Sequence, residues 1–322
     1  MKLALHLLQF STALVVCISD FAVAQAYPAR PIHFLIGFAP GNSSDLVTRM
    51  LAEKLAERLG QPVLAEQKAG ASGVLANEAV AKAPPDGHAM VLLTGGFPVA
   101  ANLMKSLPYD PVNGFAMVST VTAYPMVLAV SQSSPIRSFS DLLERARSEP
   151  GKITCSSAGP GSLHHLFGEL IGIEAGVSMT NVPFKGAAQT LVDLLGGRLD
   201  VMIETATFSF PQIRGGKIRA LAVSTANRSA LMPDIPVVAD AIPGIDVSSW
   251  LGVATSPGTP RPTIDRLNRE IRGILGLRDV TARLADLGGE PAPSTPEEMR
   301  ARIEREIARW KRVVELKKIP PQ

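Results

Sequence analysis

The segment Gly37-Phe38-Ala39-Pro40-Gly41-Asn42-Ser43-Ser44-Asp45 puts small and hydroxyl-bearing residues between an apolar run and an amphipathic one. Small residues expose backbone N–H groups. A helix that begins here also presents the positive end of its peptide dipole and first-turn amides with no intrahelical acceptor. The chemistry on offer is anion binding. The segment seats a carboxylate, a phosphate or merely its own cap, with Ser43 or Ser44 as the capping residue. The design recurs at Lys68–Gly73, at Ser157-Ala158-Gly159-Pro160-Gly161-Ser162 and at Phe184-Lys185-Gly186, which is more than capping alone requires.

Other candidate chemistry is thinner. His165 and Glu169, in the run that starts His164-His165, lie one helical turn apart as the start of a metal site would, but no third ligand accompanies them. Ser162 is followed by Leu163 and Ser72 directly precedes Gly73, so neither fits the glycine-x-serine-x-glycine elbow of a serine hydrolase. The glycine loops lack the lysine of a phosphate-binding P-loop, and Gly37 to Asp45 does not match the dinucleotide fingerprint. No metal and no cofactor are expected. Cys155, at a strand end near a helix start, is either a reactive thiol or a small core residue. Glu204 ends a buried strand and needs a partner, whether a ligand amine, a water or a neighbouring N–H.

These residues are positioned by alternating strands and helices. Ile32, Phe34 and Ile36 mark a buried strand, and Leu46, Met50, Leu51, Leu55 and Leu59 recur at helical spacing up to a stop at Gly60. Val63–Glu66 and Ala89–Leu93 read as strands, the second ending in Thr94-Gly95-Gly96-Phe97. This order implies right-handed crossovers and a mainly parallel sheet with ligands at the carboxyl ends of its strands. Phe115 to Val130, interrupted at Tyr124-Pro125, is too long for one strand and reads as a crossing into a second domain, with Trp250 to Ala254 crossing back. Ser138 with Asp141, and Thr295-Pro296-Glu297-Glu298, are helix starts.

Residues 1–26 have the form of a cleaved signal peptide, with Lys2, an apolar stretch and small residues near Ala24. No later run is long and uncharged enough to span a bilayer. Losing this segment removes one lysine and one aspartate and leaves the net charge at +3. That mild balance, without basic clusters interleaved with aromatics, argues against nucleic acid. Cys155 is then the sole cysteine, so stability must come from the core.

Tyr27-Pro28, Arg30-Pro31-Ile32, Phe38-Ala39-Pro40-Gly41 with Asp45, and Gly60-Gln61-Pro62-Val63 resemble the opening of the tripartite tricarboxylate transporter substrate-binding proteins, the Bug or TctC-like family. The likeness continues through Pro85-Asp86-Gly87, Leu107-Pro108-Tyr109-Asp110, Ser157 to Ser162 with His165, Val182 to Gly186, Gly216 to Val223 and Pro257-Gly258-Thr259-Pro260. The resemblance implies a periplasmic, monomeric α/β binding protein of the type II-like form, two domains each built on a mainly parallel sheet flanked by helices and joined by crossing strands. Residues 27–125 and 247–322 would form domain 1, and residues 126–246 domain 2. It implies closure on a small carboxylate ligand and delivery to membrane components of the transporter. A sensor module for a signalling partner, or an exported enzyme centred on Cys155, His165 and Glu204, are the alternatives.

Carried over residue by residue, the ligand loops give Phe38, Ala39, Gly41, Asn42, Ser43 and Asp45, then Thr94 and Gly95. Ser156, Ala158, Gly159, Ser162 and His165 follow, with Phe184, Lys185 and Gly186, and Glu204 at the position commonly held by an acid. The chain departs from the pattern at Asn42 for glycine, His88 and Phe184 for tyrosine, and Glu204 for aspartate, which leaves the particular acid open.

Overall fold

The computed structural model describes residues 27–321; the signal-peptide expectation for residues 1–26 lies outside them. The first part of the chain gives β1 (Ile32–Ile36), α1 (Ser43–Leu59), β2 (Val63–Gln67), α2 (Val74–Ala81), β3 (Ala89–Thr94) and α3 (Phe97–Leu103). β4 (Ala116–Ser131) leads to α4 (Phe139–Ser148), β5 (Thr154–Ser157), α5 (Leu163–Ala175), β6 (Thr180–Pro183), α6 (Ala187–Leu195), β7 (Met202–Thr205), α7 (Ala206–Arg214) and β8 (Ile218–Val223). The chain closes with β9 (Ser248–Thr255), α8 (Arg261–Leu275), α9 (Arg278–Asp286), β10 (Glu290–Pro291) and α10 (Pro296–Lys317). Among the described residues no helix is long and apolar enough to cross a membrane.

Two α/β lobes share β4. Its first half, Ala116–Pro125, pairs with β9, which in turn pairs with β3, and β3, β1 and β2 run parallel. Its second half, Met126–Ser131, pairs antiparallel with β7 and β8, while Cys155 bridges to Val201 and carries on to the parallel pair β5–β6. The strands joined by helices are therefore parallel as expected, and the shared strands are the antiparallel exceptions.

The expectation that Tyr124-Pro125 breaks the apolar stretch is corrected, because β4 is one continuous strand. Proline is tolerated there because the strand changes sheets at that point. Pro125 is the last residue paired to β9, and the Met126 amide is taken by Ser224 Oγ at 2.8 Å.

Each sheet is covered on both faces. In the first lobe α1, α8 and α9 pack on one face through Leu51, Leu55, Ile271 and Leu284, and α2 and the start of α10 cover the other through Val80, Met299 and Ile303. In the second, α4 and α5 supply Phe139, Leu142, Phe167 and Leu170, and α6 and α7 supply Leu194 and Ala206. The far half of α10 does not stay with the first lobe: Trp310 and Val313 are buried in the second lobe's core. Lys317 Nζ meets Glu169 Oε2 at 2.7 Å, and Arg312 pairs with Glu174.

Candidate functional site

The first loop is stapled from within. Asn42, not Ser43 or Ser44, caps α1, its Oδ1 accepting the Asp45 amide at 2.9 Å while its Nδ2 donates to Ala39 O at 2.8 Å. Asp45 is buried and accepts from the Gly41 amide (2.9 Å), Arg49 Nε (2.8 Å) and Gln67 Nε2 (3.0 Å). The Gly41 amide bond, outweighing burial with help from Gln67 and Arg49, holds this carboxyl below the usual aspartate range. Asp45 thus shapes the loop, and Gly41, at φ +84°, makes the turn that lets its own amide reach it.

The neighbouring loop sits tightly against the first. A Cβ on Gly37 would lie 2.6 Å from Gly73 Cα, so the two segments touch backbone to backbone. Phe38 and Thr94, at the ends of adjoining strands, meet Ser72, Gly73 and Tyr109 in a narrow crevice. Gly95 donates its amide to Trp250 O at 2.8 Å, and a side chain there would meet Ser249 and Trp250 backbone at 3.2 Å.

In the second lobe Ser162 caps α5. Its Oγ accepts the His165 amide (3.2 Å) and donates to Gly159 O (2.8 Å). His165 Nδ1 accepts the Gly161 amide at 3.0 Å, which places its proton on Nε2, 3.7 Å from Glu169. Glu169 is also held by Lys317, so His165 and Glu169, which had no third ligand in the sequence, serve the loop and α10. Among the described residues no cluster of His, Cys, Asp and Glu is arranged to hold a metal.

The neighbouring histidine meets the acid. His164 Nε2 lies 3.0 Å from Glu204 Oε1, which also accepts the Thr205 amide at 2.8 Å. Burial pushes the Glu204 carboxyl up, but the bond and charge of His164 and the Thr205 amide outweigh it, leaving it below the ordinary glutamate range. Ser156 is buried, its Oγ accepting the Ile203 amide at 2.9 Å to tie β5 to β7. Cys155 is a core residue and no reactive thiol, since burial, and behind it the Glu169 charge, pushes it up to about 12. Phe184 gives its amide to Ser157 O at 2.8 Å, whereas Ala158, Lys185 and Gly186 are exposed.

Between the lobes lies a cavity of about 270 Å³. The first lobe contributes Ala71, Ser72, Gly96 and the α3 side chains Val99, Ala100 and Leu103, with Met104 just beyond the helix; the second contributes Gly161, Ser162 and Leu163. Of the residues expected in the site, Ser162 lines this cavity, and Phe38 and Thr94 line the crevice beside it. Ala39, Gly41, Asn42, Ser43 and Asp45 of the first loop line neither, and nor do Gly95, Ser156, Ala158, Gly159, His165, Phe184, Lys185, Gly186 and Glu204.

The Lys68–Gly73 loop was marked in the sequence, but Ala71 and Ser72 were not placed in the site, and the α3 wall was missed. Ala71 and Ser72 sit at φ +45° and +55°, a left-handed conformation that residues with a Cβ adopt at a cost and that clusters at ligand sites. The small-residue run Gly70-Ala71-Ser72-Gly73 pointed to the loop, and only the torsions show that it faces the cavity.

Two α/β lobes, joined by crossing strands and facing each other across a cavity fronted by small-residue loops, define a two-domain solute-binding protein. Residues 47–319 match the tripartite tricarboxylate transporter family receptor, and the chain belongs to that family. It is similar to Rpa4515 of R. palustris, solved with adipate, at 34% identity and a TM-score of 0.75 over 92% of this chain and 100% of that one. The periplasmic binding protein BugD aligns at 31% identity and a TM-score of 0.72 over 92% and 100%. MatC from Rhodopseudomonas palustris, with bound malate, aligns at 32% and 0.71 over 89% and 100%.

Proposed function

We propose that this protein is a periplasmic receptor that captures a small carboxylate between its lobes by closure and hands it to the membrane components of a tripartite tricarboxylate transporter. In this reading residues 1–26 are a cleaved leader, residues 27–125 and 247–322 form one domain, whose α10 reaches into the core of the other, residues 126–246 form that other domain, and the receptor works as a monomer. The observation that carries it is the inter-lobe cavity, with Ser72 and Gly96 on one side and the Ser162-capped start of α5 on the other. The adipate and malate of its structural neighbours support the choice of anion.

The physical basis is that charge-assisted hydrogen bonds contribute about 1.5–3 kcal/mol each, and a helix N-terminus about 0.3–2 more. A few such contacts offset the ordering cost and support micromolar binding without an arginine clamp, equivalent to about −8 kcal/mol. No catalysis is assigned. In the rival centre of Cys155, His165 and Glu204, the histidine and the acid are engaged by separate partners, and burial pushes the thiol up.

The test is thermal unfolding of the protein, freed of co-purified ligand, against mono-, di- and tricarboxylates, acidic amino acids, aromatic acids and sugars. A ligand that binds only the folded state, at a hundred times its dissociation constant, stabilises by about 2.7 kcal/mol. A carboxylate that raises the transition and is recovered unchanged is the expected result. Consumption of the compound would point to an enzyme, and a response to sugars alone would sink the reading.

A further inference from the structure

This inference rests on the carboxylate-receptor reading and concerns the body of the ligand between its anionic ends. The cavity walls are Val99 and Leu103 from α3, Met104 beside them and Leu163 facing them from the other lobe. Its side-chain hydroxyls are those of Ser72 and Ser162, and the second is already engaged by Gly159 and His165. Among the described residues that line it there is no arginine, lysine, histidine or acid. The space is therefore apolar in the middle and offers backbone dipoles and small residues at its edges.

We infer that the cleft selects carboxylates with a hydrocarbon body, a saturated chain or an aromatic ring, over carboxylates that carry hydroxyl groups. A ligand hydroxyl set against Val99, Leu103, Met104 and Leu163 leaves water and finds no partner on those side chains, which disfavours binding. A methylene in the same place leaves water at a gain of roughly fourfold in affinity for each one buried. The anionic end is served by the start of α5, where peptide dipoles take the part of a cation. The walls come from both lobes, so each lobe contributes to the selection.

Titration calorimetry of the protein freed of co-purified ligand, with adipate, suberate and benzoate on one side and malate, tartrate and citrate on the other, tests this. At least one member of the first group is expected to bind tenfold or more tightly than every member of the second. Met104→Gln, a change of similar volume at a half-buried position, should narrow that gap at least threefold, with its own melting curve showing that it folds. If the hydroxylated acids bind as tightly as the others or more so, the selection is wrong and the carboxylate-receptor reading stands. If none of these acids gives heat, both fall.

Discussion

The indole Nε1–H of Trp250, in the strand that crosses back to the first lobe, donates to Glu306 Oε2 on α10 over 2.9 Å. Arg302 completes the group. Its Nε reaches Glu306 Oε1 at 2.9 Å, its other end donates to Ser248 Oγ at 2.7 Å, and its guanidinium lies 5.3 Å from the Trp250 ring centre. A buried acid is thus held between a crossing strand and the helix that enters both cores. Trp250→Phe should cost about 1–3 kcal/mol from the lost bond alone, read by urea unfolding.

Burial pushes the Glu306 carboxyl above the ordinary glutamate range, against the pull of Arg302, Trp250 and Arg309. An acid raised on folding favours the native state most below its unfolded value, and that contribution is lost as pH rises through the folded one. The stability of the wild type relative to Glu306→Gln should therefore fall as pH is raised from about 4 towards 8. A flat difference across that range would count against the assignment.

Asp45 has the opposite sign. Its carboxyl is lowered on folding, so its contribution is complete above the unfolded value of about 3.9 and disappears as pH drops through the folded one. Asp45→Asn replaces an acceptor facing the Gly41 amide with a donor, and should destabilise by about 1–3 kcal/mol at neutral pH. The gap between wild type and variant should close in acid, which chemical unfolding at a series of pH values would measure.

Ser162→Ala removes the cap of α5 and the tie to Gly159. A loss of about 0.5–2 kcal/mol is expected, leaving the protein folded at room temperature. Carboxylate affinity should fall as well, because the loop that carries Leu163 loosens; unchanged affinity by calorimetry would remove this loop from the site.

Gly37→Ala tests the contact between the first two loops. The added methyl would meet Gly73 Cα, a backbone atom that no rotamer change can move aside. About 1–3 kcal/mol of destabilisation is expected, and because Gly73 adjoins Ser72 the variant should also bind carboxylate more weakly.

Native Cys155 should resist alkylation at pH 8, with a thiol pushed up to about 12 and 4% exposure, and should react fully in denaturant. Intact-mass spectrometry before and after unfolding distinguishes the two states.

The helices were legible where local chemistry sets their ends. Ser138 with Asp141 and Thr295 with Glu298 form capping boxes, and α10 spans the residues that its cap and basic end imply. Pro125 misled because proline ends most strands, and nothing local announces that β4 exchanges one sheet for another at that residue. In the site, small residues reveal where loops lie but not which backbone torsions they take, so the Lys68–Gly73 loop was legible while the place of Ala71 and Ser72 in the cavity was not. His164 and His165 differ by one step on a helix, about 100° of rotation. Which of them meets Glu204 depends on a strand from elsewhere in the chain, and only the fold decides it.

β9 lies between β3 and β4, although more than a hundred residues separate it from either in the chain. A polypeptide emerging from its N-terminus therefore carries two unsatisfied strand edges until Ser248–Thr255 arrives to fill the gap. The first lobe is among the last parts able to finish folding, and the second, whose strands run from the second half of β4 to β8, can assemble earlier apart from its share of α10. Order of synthesis and order of completion run in opposite directions, so the first lobe's sheet stays open until β9 has been made.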